Sequence, residues 1–333
     1  MLANQRLEYG GVKKDKLEDS VMAQEIMQVS SLPPFMMNAL QQDDYIVHDH
    51  THINDPGALS KVTALVGTGA AKVDKKLLML LPNVKLIAIC GVGYDGIDVD
   101  AAKERGIVVT HTPGVLTDDV ADLAFGLVLS IGRRIPQADR FVRNGDWVSD
   151  TFPMSHKVSG TRLGIVGMGR IGRAIAKRAA AFDMQIAYTG REAKADLPYT
   201  FYKTATALAA QVDYLVVAVS GGEHTKNLIS ASVLDELGTK GYLINVSRGS
   251  VVDQPALVQA LKNKTLAGAA LDVFWDEPVV DPELRRLPNV VLTPHIASAT
   301  EETRRAMAAL TMDNLRAFYA KKPLPTLVPE CQG

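Results

Sequence analysis

Short runs of apolar residues alternate with amphipathic segments along most of the chain. Apolar runs bounded by turn residues predict buried strands, and apolar positions spaced three and four residues apart predict helices. The first third contains predicted strands at 63–66, 86–90 and 107–110, with predicted helices at 74–81 and 99–105. This alternation indicates an α/β protein built on parallel sheets.

A second, longer series of strands begins after residue 160. Its predicted members are 162–166, 185–188, 214–218, 242–246, 267–273 and 290–293. Two long helices are predicted at 118–134 and 301–319. Thr117 is a suitable cap for the first of them, because acidic residues follow it in the first turn. The 333 residues are enough for two domains of ordinary size.

A glycine-rich motif follows the first strand of the second series. It reads Gly167-Met168-Gly169-Arg170-Ile171-Gly172 and leads into an alanine-rich helical pattern. In a dinucleotide-binding turn, the first glycine permits the turn, the second lets backbone N–H groups approach a pyrophosphate, and the third allows close packing of helix and strand. The next strand ends in Gly190-Arg191 and not in the acidic residue that holds a ribose 2′-hydroxyl. A guanidinium suits a 2′-phosphate, so the motif favours NADP(H) over NAD(H).

The same glycine spacing occurs a second time, at 91–96, also after a predicted strand. The strand that follows this copy ends without an acidic or basic ligand for the ribose. We therefore assign the dinucleotide to 167–172. The loop at 91–96 is then a reasonable binding site for a small carboxylate, since glycine-rich loops present free backbone N–H groups.

Three polar side chains stand just past the ends of later strands: Arg248, Glu277 and His295. Ligands bind outside the carboxyl ends of strands in open parallel sheets. His295 as an imidazolium could protonate the alkoxide formed when a 2-oxo acid accepts a hydride, and Glu277 could hold the ring in its charged form. Arg248 could grip the substrate carboxylate or carbonyl oxygen. Each residue alone would be read as structural, but their shared position at one sheet edge favours the catalytic interpretation.

Composition and charge argue against nucleic-acid binding and against a membrane-spanning protein. The formal net charge of −1 gives no indication of a nucleic-acid-binding protein, although it leaves local basic patches open, and no apolar run reaches membrane-spanning length. The N-terminus shows no secretory pattern. Cys90 and Cys331 are far apart in sequence, which fits free thiols in a reducing, cytoplasmic setting. The run from His48 to His52 suggests a metal, but we expect a polar loop and no metal site there, because turn residues follow directly.

Several segments together resemble the D-isomer-specific 2-hydroxyacid dehydrogenase family. They are 91–98, 112–124, 164–172, 245–253, 268–278 and 293–300, in this order. Within that family the chain is most similar to the NADPH-dependent glyoxylate/hydroxypyruvate reductases, including the hydroxyphenylpyruvate reductase branch. The stretch 132–147 and the Gly190-Arg191 strand end support that placing.

The resemblance implies two Rossmann-like, doubly wound parallel-sheet domains separated by a cleft. Residues 1–115 and 301–333 would form a flavodoxin-like substrate-binding domain, and 116–300 an NADP-binding Rossmann domain. It also implies a homodimer held largely through the cofactor domains, acting on a small 2-oxo acid or 2-hydroxy acid.

The resemblance further implies roles for individual residues. Arg248 matches the substrate-binding arginine, Glu277 the acid that partners the histidine, and His295 the acid/base. Backbone N–H groups of Val92 and Gly93 would hold the substrate carboxylate. The implied cofactor contacts are Thr117, Gly167, Met168, Gly169, Arg170, Ile171, Gly172, Gly190, Arg191 and Asp272, of which Asp272 would contact the nicotinamide amide and Arg191 the 2′-phosphate.

The loop at 220–225 departs from the family pattern, which usually has a proline and a threonine on the adenine-ribose side. Its two glycines predict a flexible loop. Formate dehydrogenases resemble the family but carry Gln at the position of Glu277, which argues against that activity. A dinucleotide-sensing protein like the corepressors of this fold remains an alternative, as do aromatic and sugar-derived 2-oxo acids as substrates.

Overall fold

The computed structural model describes residues 24–50 and 55–332. Residues 1–20 are polar and mixed, which predicts that the fold begins near Met22, and that position lies outside the described residues. The strands are β1 Glu25–Gln28, β2 Ile46–Asp49, β3 Ala64–Thr68, β4 Leu86–Cys90, β5 Val108–Thr110, β6 Arg162–Val166, β7 Gln185–Thr189, β8 Thr200–Tyr202, β9 Tyr214–Val217, β10 Tyr242–Asn245, β11 Gly268–Leu271 and β12 Val290–Leu292.

Helices connect most consecutive strands. They are α1 Pro34–Gln42, α2 Pro56–Leu59, α3 Lys75–Met79, α4 Val99–Glu104, α5 Thr117–Arg133, α6 Ile135–Arg143, α7 Arg170–Ala180, α8 Ala205–Ala209, α9 Ala231–Leu237, α10 Gln254–Lys262, α11 Pro282–Arg286 and α12 Glu301–Tyr319. None of the helices in the described ranges is long and apolar enough to cross a bilayer.

The strands form two sheets, and every pairing between named strands is parallel. The first sheet has the order β2-β1-β3-β4-β5, and the second has the order β12-β11-β10-β9-β6-β7-β8. In the second sheet, β6 and β9 lie side by side although two strands intervene in sequence. Such a reversal of strand order leaves a crevice at the carboxyl ends of the strands. The glycine motif at 167–172 lies at this crevice. The predicted architecture of two doubly wound parallel sheets is confirmed.

Helices cover both sheets and bury continuous apolar surfaces. α12 packs against β4 and α1 of the first sheet, and α5 packs against α7 and against β10 and β11 of the second. Leu86 and Leu315 are fully buried in the core between the first sheet and α12. The Tyr319 hydroxyl lies 2.8 Å from the Thr63 hydroxyl and ties the end of α12 to the start of β3. The last long helix thus belongs with the first sheet.

The strands that the sequence reading missed are β1, β2 and β8. β2 and β8 lie at sheet edges and are only partly buried, so they lack the long apolar runs that mark interior strands. The expectation of a polar loop from His48 was wrong in part, because His48 and Asp49 end β2. His48 Nε2 lies 2.8 Å from Glu25 Oε2 on the neighbouring strand. His52 lies outside the described residues.

The start of α5 also differs from its prediction. Thr117 is the first residue of the helix, Leu116 occupies the cap position, and no side chain caps the helix end. The helix begins one residue early because the turn at Gly114 already bonds its carbonyl to the Thr117 N–H, at 3.4 Å. The acidic residues Asp118 and Asp119 still lie in the first turn, where they interact favourably with the helix dipole.

Candidate active site

The carboxyl ends of the two sheets meet at one cavity of about 380 Å³. The first sheet contributes the loops after β3 and β4, and the second contributes those after β9, β10 and β12. Arg248 and His295 lie on the wall of this cavity together with Val92 and Gly93. The fold therefore brings residues from three separate strand ends to one place, on the side of the sheets where ligands bind.

His295 and Glu277 form a short ion pair beside this cavity. His295 Nδ1 lies 2.6 Å from Glu277 Oε2, and Glu277 Oε1 accepts a hydrogen bond from the Phe274 N–H at 2.9 Å. Burial alone would raise the pKa of Glu277, but the hydrogen bonds from His295 and Phe274 outweigh it and hold the pKa below its ordinary value. The carboxylate is therefore ionised at neutral pH and holds the His295 ring at its Nδ1.

Asp272 lies fully buried beneath the loop that carries His295. Its Oδ1 accepts hydrogen bonds from Thr293 Oγ1 at 2.6 Å and from the Ile296 N–H at 2.9 Å, and its Oδ2 accepts one from the Ala297 N–H at 2.9 Å. Within this loop His295 has a φ of 53°, which non-glycine residues rarely adopt. Asp272 thus fixes the position of His295, while its contact with a nicotinamide amide stays a prediction.

Arg248 reaches across the cleft to the first sheet. Its Nε donates to Asp95 Oδ1 at 3.1 Å, and its Nη1 donates to the Ser247 carbonyl at 2.8 Å. Its Nη2 occupies the space beside the Gly93 backbone, since a Cβ on Gly93 would lie only 1.7 Å from that nitrogen. The guanidinium is therefore next to the peptide that the sequence suggests as a carboxylate ligand.

The turn that carries Arg248 is fixed by two neighbours. Asn245 is buried at the end of β10, where its Oδ1 accepts from the Ser247 N–H at 3.0 Å and its Nδ2 donates to the Arg248 carbonyl at 2.9 Å. Gly249 packs directly on the main chain after β11, so that a Cβ there would lie 2.0 Å from the Phe274 carbonyl carbon. Backbone packing alone leaves no room for a larger residue.

The loop at 91–96 is held from the side facing away from Arg248. The Val92 carbonyl accepts a hydrogen bond from His111 Nδ1 at 3.0 Å, and the Tyr94 hydroxyl donates to the Glu330 carboxylate at 2.9 Å. In a trans peptide the carbonyl and the next N–H point in opposite directions. The Gly93 N–H is therefore directed away from His111.

The glycine motif at 167–172 has the geometry of a tight turn into a helix. Gly167 has a φ of 102°, and a Cβ on Gly172 would lie 2.1 Å from the Gly167 carbonyl oxygen. No side chain caps the N-terminus of α7, and a Cβ on Gly169 would meet no atom within 4 Å. The helix N-terminus therefore offers free N–H groups and open space to an anion.

The remaining predicted cofactor residues lie around this turn. Ile171 lines the cavity, Met168 is buried behind the turn, and Thr117 starts α5 nearby in the fold. Gly190 and Arg191 follow β7, the neighbour of β6, with open space where a Cβ on Gly190 would be. Arg170 and Arg191 are exposed, and neither forms an ion pair with another residue of the described ranges.

A model of the D-isomer-specific 2-hydroxyacid dehydrogenase NAD-binding domain matches residues 125–297, which is more than half of the chain. The chain belongs to the D-isomer-specific 2-hydroxyacid dehydrogenase family. This confirms the resemblance that the sequence motifs indicated.

Several members of this family are similar over most of their length. A glyoxylate/hydroxypyruvate reductase A of Arabidopsis thaliana is 48% identical over 269 residues, covering 81% of this chain and 86% of the relative. A 2-ketogluconate reductase of Gluconobacter oxydans is 41% identical over 305 residues, covering 91% and 98%. The crystal structure of an NADPH-dependent glyoxylate/hydroxypyruvate reductase of Sinorhizobium meliloti, in complex with NADP and malonate, superimposes with a TM-score of 0.87 at 42% identity, covering 92% and 97%.

The loop at 220–225, where the chain departs from the usual family sequence, packs against residues of the candidate site. Gly221 lies against the Arg248–Asp95 pair: a Cβ there would be 2.7 Å from Arg248 Cγ and 3.0 Å from Asp95 Oδ2. The loop continues into a 3-10 turn at Glu223–Thr225, and the Thr225 hydroxyl donates to the Ser220 carbonyl at 2.8 Å. The absence of a side chain at 221 leaves room for the ion pair.

The sequence reading missed Asp95 and the loop-holding role of Asp272. Asp95 lies inside the glycine motif at 91–96, whose spacing indicates free backbone N–H groups and gives no signal for a charged side chain. Its pairing with Arg248 spans 153 positions, so no local sequence pattern predicts it.

Two glycines of the site should respond differently to added bulk. We expect Gly249→Ala to lower the free energy of unfolding by about 2 kcal/mol or more, because the new methyl group meets backbone that cannot move. Gly93→Ala should cost less than about 1 kcal/mol, because the colliding Arg248 tip can swing away. Urea unfolding of each variant measures the difference. Gly126→Ala, where the methyl group meets open space inside α5, is the matched control, and equal losses at Gly249 and Gly93 would contradict this packing.

Proposed function

We propose that the chain catalyses the NADPH-dependent reduction of a small 2-oxo acid, of the glyoxylate or hydroxypyruvate type, to the D-2-hydroxy acid. The observation that carries the proposal is the His295–Glu277 pair, which lies at the same cavity as Arg248. Relatives named for glyoxylate and hydroxypyruvate reduction support the substrate class. The 2-ketogluconate reductase represents the alternative of a sugar-derived 2-oxo acid on the same scaffold.

The turn at 167–172 and its surroundings suit a phosphorylated dinucleotide. The uncapped start of α7 would hold the diphosphate, and the guanidinium of Arg191 after β7 would bind the 2′-phosphate. The complex of the Sinorhizobium meliloti enzyme with NADP supports this choice over NAD(H). When bound, NADPH supplies a hydride to the carbonyl carbon of the substrate.

Groups of the chain itself would then bind and orient the substrate and supply the proton. The Arg248 guanidinium and the N–H groups of Val92 and Gly93 bind the substrate carboxylate and orient the carbonyl group. His295 as an imidazolium donates the proton that the developing alkoxide needs. Glu277 holds the imidazole ring by its Nδ1, so that Nε2 is free for proton transfer.

We assign the substrate-binding domain to residues 1–115 and 301–333 and the NADP-binding domain to 116–300. The packing of α12 on the first sheet supports this division, and so does the packing of α5 on the second. Free thiols at Cys90 and Cys331 fit a reducing, cytoplasmic environment.

We also propose a homodimer formed through α6 and the segment that follows it. This segment, the arm at 135–154, exposes large apolar side chains: Ile135, Val142, Trp147, Val148 and Met154, the last two almost completely. Large apolar side chains exposed together on one segment are typical of protein–protein interfaces. A cavity of about 430 Å³ borders the arm at Arg134 and Gln137, on the side of the second sheet away from the substrate cleft, and would receive side chains of the second copy.

The proton-donor role predicts a large loss of turnover on substitution. The wild-type protein should oxidise NADPH with glyoxylate and hydroxypyruvate, and His295→Asn should lower kcat by about 10²–10⁴-fold, the usual contribution of a positioned general acid. The loss of NADPH absorbance gives the rates. His156→Asn, on an exposed histidine outside the cleft, is the control. Near-normal turnover in His295→Asn would exclude it as the donor.

Cofactor choice can be tested by binding alone. Arg191→Ala should weaken NADPH binding by about tenfold or more, since a charge-assisted contact to the 2′-phosphate is lost, and should leave NADH binding nearly unchanged. Fluorescence titration of each cofactor measures the two dissociation constants. Arg285→Ala removes another exposed arginine of the same sheet's helices and serves as control. An equal loss for both cofactors would show that Arg191 does not recognise the phosphate.

The dimer proposal predicts dissociation when the arm is charged. Val148→Asp combined with Met154→Asp should convert the dimer into monomers at micromolar concentration, because buried unpaired carboxylates are costly. Sedimentation velocity measures the mass. Met79→Asp, at an exposed apolar residue of the first sheet's helices, should leave the dimer intact. A monomeric wild-type protein would overturn the proposal.

A further inference from the structure

The charged side chains that line the substrate cavity are not all neutralised. Three of them carry or can carry a positive charge: Arg248, His295 and Arg304. Arg248 is paired with Asp95 at 3.1 Å, and His295 is paired with Glu277 at 2.6 Å. The guanidinium of Arg304 forms neither a hydrogen bond nor an ion pair with any residue of the described ranges, while the Arg304 backbone N–H donates to the Thr300 carbonyl at 3.0 Å. The cavity therefore has one guanidinium with its hydrogen-bonding capacity unused.

The position of Arg304 is an unfavourable one for a cation in the free protein. It is the fourth residue of α12, close to the helix N-terminus, where the helix dipole disfavours positive charge. The neighbouring acidic residue Glu301 is engaged with Arg305 at 2.7 Å and does not compensate it. A half-buried, unpaired guanidinium in this place adds nothing evident to stability, which points to a ligand as its partner.

Arg304 lies at one end of the loop expected to bind the substrate carboxylate. Its charge acts on the Cys90 thiol: burial raises the pKa of Cys90, and the Thr311 hydrogen bond and the Arg304 charge oppose that rise. Cys90 ends β4 directly before the loop, and at the loop's other side Arg248 Nη2 adjoins Gly93. A small acid bound along this loop thus has two guanidinium groups in the same cavity, those of Arg248 and Arg304.

We propose that Arg304 determines substrate specificity by binding a polar group on the carbon next to the reacting carbonyl, so that the preferred substrates are 2-oxo acids with a hydroxyl or carboxylate at that carbon. Arg248 and the Gly93 N–H hold the carboxylate at the other end. Such substrates use the unpaired donors of Arg304, whereas a methyl or aromatic substituent would bury them without a partner. The inference rests on the proposed reductase function and names the substrate class within it.

Hydroxypyruvate and pyruvate provide the test, because they differ only in the hydroxyl group at that carbon. The wild-type protein should have a kcat/KM for hydroxypyruvate at least about tenfold above that for pyruvate, as loss of a charge-assisted hydrogen bond predicts. Arg304→Met, which keeps an unbranched apolar stem and removes the donors, should reduce this ratio by about tenfold, and Arg304→Lys should restore part of it. Arg305→Met removes the adjacent arginine, which faces Glu301 and not the cavity, and should leave the ratio as in the wild type.

The outcomes separate the two proposals. Turnover of 2-oxo acids with a hydroxypyruvate/pyruvate ratio that Arg304→Met does not change would overturn the specificity role and leave the reductase function standing. The same follows if Arg304→Met lowers both values of kcat/KM equally. Absence of turnover with every 2-oxo acid would overturn the reductase function itself. A parallel measurement of inhibition by D-glycerate and D-lactate should show the same Arg304-dependent preference at the level of binding.

Discussion

A single buried carboxylate organises the edge of the second sheet that carries the proposed catalytic residues. Asp272 has no exposure to solvent, and burying an ionised carboxylate without partners would be prohibitive. The loop from Thr293 to Ala297 provides those partners, and it can do so only by following one path. That path forces His295 into a left-handed backbone conformation. The position of the proposed proton donor is thus a consequence of satisfying a neighbouring charge.

On the other side of the cleft, Arg248 is held in position by close packing against glycine backbone. The guanidinium of Arg248 fits because Gly93 and Gly221 have no side chains, and its turn fits against the main chain because Gly249 has none. The ion pair with Asp95 then joins the two sheets at the place where substrate is expected to bind. An incoming carboxylate therefore meets a guanidinium that is already oriented and partly neutralised, which lowers the cost of ordering it.

Much of this architecture could be predicted from the sequence, for identifiable physical reasons. Interior strands such as β4 and β6 are buried on both faces and so appear as unbroken apolar runs, whereas the edge strands β2 and β8 do not. Arg248 and His295 could be grouped because the carboxyl ends of parallel strands share one edge. The pairing of Arg248 with Asp95 and the hydrogen bonds of Asp272 to the loop of His295 could not, since these contacts reach across the fold and no local spacing encodes them.

The first sheet is covered by a helix that lies about 190 positions later in the sequence, α12, and this has a consequence for biosynthesis. The second sheet is continuous in sequence from β6 to β12, so all its strands have been made before α12 exists. The first sheet is synthesised earlier, but one face of β4 is covered only when Met312 and Leu315 of that helix have been made. Thr63 likewise gains its contact with the Tyr319 hydroxyl only 256 positions later in the sequence. During translation the order of completion is thus the reverse of the order of synthesis. The nascent chain carries an uncovered apolar surface on the first sheet until α12 has emerged, which exposes it to aggregation and favours binding by chaperones.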